Sequence, residues 1–202
     1  MKYSYNKIKK SVYEIVREAA YSENNEFTYT VWNYHILPVA EHALNLGKKL
    51  KADLEILELA SLLHDYAGLK HYKYYKKHHI YGAKFAGEIL KDLAYPKQKI
   101  LQVQECILCH RGSVPLAKRT IEAKILASAD AMAHITEIAD IFFLAYGVHG
   151  LETYEGCQWI KRKLSRSWEK IMPKGKEIVE DDYQLFIRII NKAIKKGQKE
   201  KI

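Results

Sequence analysis

Every long segment of the chain repeats its apolar residues at helical spacing, and none alternates apolar with polar for long. A period near 3.6 buries one face of a helix, whereas a half-buried strand needs a period of two. Only 4 Pro and 10 Gly punctuate the 202 residues, so long helices are expected. Ile8, Val12, Ile15, Val16 and Ala19 mark a first helix over 5–21. A second, from about Asn33 to Leu50, carries Ile36, Val39, Ala40, Ala43 and Leu46, with Pro38 tolerated in its first turns. Asp53 suits the N-cap of a third helix, striped by Ile56, Leu57, Leu59, Ala60, Leu62 and Leu63 and ended by Gly68. "KHYKYYKK" reads as a basic, aromatic linker. A fourth helix covers His78 to Leu93 and a fifth Lys97 to His110; "RGSVP" then turns the chain. A long sixth helix follows from about Arg119 to Tyr146, and two more flank the break at Pro173 and Gly175. The fold class is all-α, a helical bundle of about eight helices with no significant sheet.

This length suits one domain, 1–202. Lys and Arg exceed Asp and Glu by nine (33 against 24), which suits an anionic partner or a solubilising surface. Much of the excess lies in Lys-rich ends, and the 15 Tyr form no repeat. Nucleic acid is therefore not the expected partner. Cys106, Cys109 and Cys157 are odd in number, and no second CxxC completes a zinc site. Buried thiols in a reducing compartment are the better reading. "MKYSYNKIKK" lacks the apolar core of a signal peptide. No apolar run approaches the ~20 residues of a membrane span. A cytoplasmic protein without membrane contact is expected.

The informative residues are polar ones at positions that the pattern marks as buried. His35 lies within a turn of Ile36 and Val39. His64 and Asp65 directly follow Leu62 and Leu63. His78 opens the fourth helix, and His110 extends the stripe of Val103 and Ile107. Asp130 sits mid-helix in "ILASADAMAHI". Buried charges must be paired or bind a metal, and no Arg or Lys lies on the same stripes to pair both carboxylates. Imidazole with carboxylate suits a first-row metal such as Mn, Fe, Co or Zn. Six ligands exceed one tetrahedral site and suit two ions bridged by Asp65. His42, two turns from His35, is roughly 10 Å away and too far to share the ion. It is read as structural or surface, as are His71, His134 and His149.

The order His35, then His64-Asp65, then Asp130, with two internal ligands, resembles the HD-domain superfamily of metal-dependent phosphohydrolases. The likeness covers about 30–150, through "YHILPVAEHALNLG", "ELASLLHDYAG", "HHIYGAKFAGEIL", "ILCHRG" and "AKILASADAM". The tail resembles a small uncharacterised bacterial and archaeal branch and implies C-terminal helices, 151–202, packed on that core. Dinuclear members place a His four residues before the Gly of H-x-x-x-G-A. That selects His78, with Gly82 and Ala83, over His79, which remains the alternative. The His of "HRG" matches His110. The resemblance implies divalent cofactors (Mn, Fe, Co, Ni, Zn or Mg; one or two per chain) and catalytic roles for His64 and Asp65. It implies hydrolysis of a nucleotide or another small phosphorylated substrate. Several branches carry Lys soon after the HD pair; here Gly68 stands at that place and Lys70 comes one residue late. Arg111 can reach a phosphate oxygen or cap its helix end.

Three other readings share these residues. A diadenosine-tetraphosphate hydrolase branch also carries "HDYA", but continues with Lys where this chain has Gly68 and reads "HTxG" where this chain reads "HRGS". Some HD-fold proteins use two irons for oxygen-dependent oxidation. A sensor module can keep such a site without turnover.

Overall fold

The computed structural model describes residues 3–111 and 117–199, and among them there is no strand. Helix α1 spans Tyr5–Ala20, and a π-helical turn, Trp32–Ile36, runs straight into α2, Leu37–Leu50. Then come α3 (Leu54–Leu63), α4 (Tyr66–Lys70), a 3₁₀ turn (Tyr72–Lys77), α5 (His78–Asp92) and α6 (Lys97–Cys109). The remainder is α7 (Ile121–Thr136), α8 (Ile138–Phe143), a second π-helical turn (Leu144–Val148), α9 (Thr153–Lys170) and α10 (Pro173–Lys199). The turn expected over "RGSVP", residues 111–115, lies outside the described residues from 112 on.

Helix α7 is the axis of the core. It is buried nearly all round from Ala123 to Ile135, as a helix enclosed by others must be. It packs on α2, α3, α6, α9 and α10. Its many Ala residues let those neighbours approach. Helices α5 and α6 form a hairpin whose α6 side also contacts α3 and α7. The three cysteines are buried free thiols. No single helix among the described residues is long and apolar enough to cross a membrane.

Three sequence expectations change. The sixth helix is not continuous to Tyr146. At Glu137 the backbone leaves the helical region (φ −104°, ψ 55°), and the chain bends by 80° between its two halves. The bend carries Ile141 and Ala145 into the core, where both are fully buried. Nor does Gly68 end the third helix. The helix stops at Leu63, turns through His64 and Asp65, and resumes as α4 with Gly68 inside it. The turn is what lets two adjacent polar side chains point out of an apolar helix. The "KHYKYYKK" segment, expected as a linker, is largely the 3₁₀ turn.

Asp53 caps α3 as expected, accepting from the backbone N–H of Glu55 (3.0 Å) and Ile56 (3.2 Å). Glu55 then ties three elements together. It accepts from the Tyr3 hydroxyl at 2.8 Å and from Lys99 Nζ at 2.5 Å. Burial pushes the Glu55 carboxyl up, but the Lys99 and Tyr3 bonds outweigh it and hold it below its usual value. A depressed carboxyl contributes stability above its unfolded pKa of about 4.3 and loses it as pH falls through the folded value. Glu55→Gln is expected to cost about 1 kcal/mol at neutral pH, discounted for solvent screening. The variant and the wild type should converge in strong acid, which thermal melts across pH will read.

Candidate metal centre

Five separate elements deliver the six candidate ligands to one place. His35 comes from the π-helical turn before α2, and His64 with Asp65 from the turn after α3. His78 is the first residue of α5, His110 caps the end of α6, and Asp130 lies in the middle of α7. The side chains form two groups that share Asp65. In one, His35 Nε2 lies 3.2 Å from His64 Nε2 and 3.3 Å from Asp65 Oδ2. His35 Nε2 is also 3.6 Å from Asp130 Oδ1. In the other, His78 Nε2 lies 3.1 Å from His110 Nε2 and 3.3 Å from Asp65 Oδ1.

Backbone carbonyls fix which ring nitrogens face inward. The Nδ1 atoms of His64, His78 and His110 lie 2.6, 2.8 and 2.6 Å from the carbonyl oxygens of Ser61, Tyr75 and Ile107. A carbonyl only accepts, so each Nδ1 carries its ring's proton. In its neutral form each ring therefore turns an Nε2 lone pair inward. At 3.1 Å the His78 and His110 lone pairs oppose each other. Asp65 Oδ1 adds a third acceptor, and it is buried with no hydrogen bond. Acceptors converging with no donor between them are the chemistry of a cation site. The donor set of imidazole nitrogen and carboxylate oxygen fits a divalent first-row metal, and three overlapping groups have spacing that can hold one.

The electrostatics favour the ligand forms. Burial pulls the His64 and His110 imidazoles below their usual range, so both are neutral near pH 7. Burial pushes the Asp65 carboxyl up, but the neighbouring imidazoles outweigh it and hold Asp65 well below the carboxylate range. Asp130 is likewise raised by burial and lowered further by the Lys170 ammonium and His134. His35 is the exception. Burial lowers it, but its bond to Asp65 and the charges of Asp65 and Asp130 leave it above the usual value.

Several residues stand elsewhere than the sequence suggests. Lys70, a candidate phosphate contact, does not reach the site. Its ammonium lies 4.7 Å from the Phe85 ring centre, a cation–π contact on the outside of α4. Arg111 does line the cavity, and it donates to the Lys76 carbonyl oxygen. His79, the alternative to His78, is buried in α5 with its ring edge against His78, and belongs to none of the ligand groups. His42 bonds Thr136 Oγ1 at 3.0 Å, and His71 accepts from the Lys73 N–H; both are structural contacts. His149 packs against Trp159 on the cavity wall.

Two features were missed. His134, read as structural or surface, stacks on His35 with ring centres 5.4 Å apart and planes within 13°. Its Nε2 lies 3.5 Å from Asp130 Oδ1, and its Nδ1 bonds Ser167 Oγ at 3.1 Å. His35, Asp130 and His134 thereby form the third ligand group. The i,i+4 spacing of Asp130 and His134 on one helix was the available signal. The second is Lys170 of α9, which pairs with Asp130 Oδ2; no lysine was expected on the stripes that carry the two carboxylates. That partner comes from a different helix, where a stripe-by-stripe reading does not look.

Gly82 explains how α5 sits so close to the site. A Cβ there would stand 3.1 Å from the His64 carbonyl oxygen and 3.2 Å from Ile107 Cγ2. Gly82→Ala is expected to push α5 away, cost about 1–2 kcal/mol and weaken metal binding through His78. Gly68→Ala, whose Cβ would meet only ordinary contacts at 3.7 and 3.9 Å, should be neutral or slightly stabilising. Melting temperature and metal content of the two variants check the pair.

The two groups open on a cavity of about 730 Å³, a size usual for small-molecule sites. Phe27, Val31, Leu69 and Tyr75 give it one apolar wall, and Leu144 and Trp159 line it from beyond α7.

A family model, HD domain, matches residues 33–135, a span that holds all six candidate ligands. No curated protein matches. The fold is similar to the crystal structure of a predicted HD superfamily hydrolase from an uncultured Thermotogales bacterium. That likeness has a TM-score of 0.62 and 21% identity, covering 93% of this chain and 92% of the other. With its order of histidines and aspartates, its all-helical fold and a family match over half its length, the chain belongs to the HD domain family.

Proposed function

We propose that the chain is a metal-dependent phosphoric ester hydrolase acting on a nucleotide or another small phosphorylated molecule. The observation that carries this reading is the division of Asp65. Its Oδ2 faces His35 and His64, and its Oδ1 faces His78 and His110. His35, His64, Asp65 and Asp130 would hold a first divalent ion, and Asp65, His78 and His110 a second. When bound, such ions supply Lewis-acid charge and a water acidic enough to yield hydroxide near neutral pH.

The chain's own groups do the rest. The Ser61, Tyr75 and Ile107 carbonyls keep protons on Nδ1, so the inner nitrogens stay basic without a change of tautomer. Lys170 holds one oxygen of Asp130 and leaves Oδ1 turned to His35 and His134. The apolar side chains of Phe27, Val31 and Leu69 in the lining lower the polarity on that side and strengthen the charge interactions beside them. Arg111, which lines the cavity, would meet a phosphate oxygen.

The test is turnover by metal-reconstituted protein on nucleotides, cyclic nucleotides and phosphomonoesters, with His64→Ala and Asp65→Ala as controls. Phosphate release that both substitutions abolish is expected. Equal turnover by the variants, or oxygen uptake by iron-loaded protein without phosphate release, would sink the reading.

A further inference from the structure

The cavity that holds the histidines also has six cationic side chains in its lining, and α9 supplies half of them. Lys163, Arg166 and Lys170 recur at i, i+3 and i+7, on one face of that helix, and all three line the cavity. Lys76, Arg111 and Lys118 line it from other elements. Lys170 is committed to Asp130. Lys118, Lys163 and Arg166 make no ion pair or hydrogen bond with another described residue. Burial, and then the nearby Lys170 charge, pull Lys118 below the usual amine range. Lys163 is also pulled below that range, by burial first and then by Lys170 and Arg166 against the attraction of Asp130. Like charges gathered in a partly buried wall are costly unless an anion joins them.

The balance of charge says how much anion is needed. Six cationic side chains line the cavity against four carboxylates, Asp65, Asp130, Asp140 and Glu169, a surplus of two. Each divalent ion at the histidine groups would add two more. A phosphomonoester brings a charge of only about −2, which leaves the cavity positive.

We infer that Lys163 and Arg166 of α9, with Lys118, which lines the same cavity, form a second anion subsite that holds a phosphate other than the one at Asp65. The substrate then carries two phosphate groups. This rests on the hydrolase reading for the role of Asp65, but the subsite itself is a matter of binding. The two phosphates can be contiguous, as in a diphosphate, or stand at opposite ends of a small molecule, as in a sugar bisphosphate.

Calorimetric titration of metal-loaded protein at physiological salt separates these cases. The probes are inorganic phosphate, methylenediphosphonate and a hexose 1,6-bisphosphate. The proteins are wild type, Arg166→Ala, Lys163→Ala with Arg166→Ala, and Lys48→Ala as an exposed control on α2. Arg166 is exposed, so its single substitution keeps the fold even where the double one does not. Wild type is expected to bind one of the two bisphosphates at least about tenfold more tightly than phosphate. That preference should fall several-fold in Arg166→Ala and vanish in the double variant, while Lys48→Ala and phosphate affinity stay unchanged. Because the α9 variants leave the histidine groups intact, they separate the subsite from chelation of the metals. Equal affinity for all three probes, or a preference that survives the double variant, would overturn the inference. Turnover distinguishes the two proposals. Monoesters hydrolysed as efficiently as bisphosphates, with the α9 variants unchanged, would remove the subsite and keep the hydrolase. A preference abolished in the α9 variants, with no ester hydrolysed, would keep the subsite and remove the hydrolase.

Discussion

Asp65→Ala is expected to lower turnover by on the order of 10³-fold and to strip most metal from the purified protein. Both ligand groups depend on this carboxylate, one through each oxygen. No other candidate ligand belongs to both the His64 group and the His110 group. In chelator-treated protein the same substitution should change stability only modestly: it deletes the buried Oδ1, which makes no hydrogen bond, but also the bond between Oδ2 and His35, and these act in opposite directions. The distinguishing measurement is a pair of melting curves. Added metal should raise the wild-type midpoint through linkage and leave that of Asp65→Ala nearly still. A variant that loses activity but keeps its metal-induced shift would show that Asp65 does not hold the ions.

His110→Gln is expected to lower the metal content from two ions per chain to one and to cost about 10²-fold in turnover. The size follows what loss of metal-site support typically costs. His110 serves only the group with His78 and Asp65. Its ring is almost fully buried and its Nδ1 is held by the Ile107 carbonyl, so glutamine fills the space without restoring the inward nitrogen. His64→Gln should instead empty the group with His35. Elemental analysis of the two variants beside wild type reads the result. One ion per chain in wild type, unchanged in His110→Gln, would confine the centre to His35, His64, Asp65 and Asp130.

The candidate ligands were visible in the sequence because burial made them anomalous. An apolar stripe that delivers His64 and Asp65 to its own end, or Asp130 to its middle, has few physical solutions. The stripes also located most helices, since the chain has little else to interrupt them. The invisible parts depend on partners brought together by tertiary packing. Lys170 reaches Asp130 from 40 residues away, and the cations of α9 look like a solvated face until α9 is laid over α7. Lys70 shows the reverse error, because proximity in sequence to the HD pair says nothing about direction across a helix. The bend at Glu137 carries no Gly or Pro, so local propensity held no mark of it. His134 was legible from its spacing to Asp130, and was passed over because a lone histidine is unremarkable until its helix face is known.

The π-helical turn at Trp32–Ile36 has a consequence for insertions and deletions in this chain. A π turn holds one residue more than the α-helical path would. That extra residue lets Trp32 lie in the core, 2% exposed, while His35 and Ile36 also face inward. Because the turn already absorbs that residue, removing Asn33 or Tyr34, both exposed, would restore regular helix with the segments on either side close to their present orientation. One residue removed inside α2, where no π turn absorbs it, would instead rotate everything before the cut by about 100° and turn Trp32 and His35 away from the positions they now share. A single-residue deletion should therefore be far better tolerated at 33–34 than a turn later in α2.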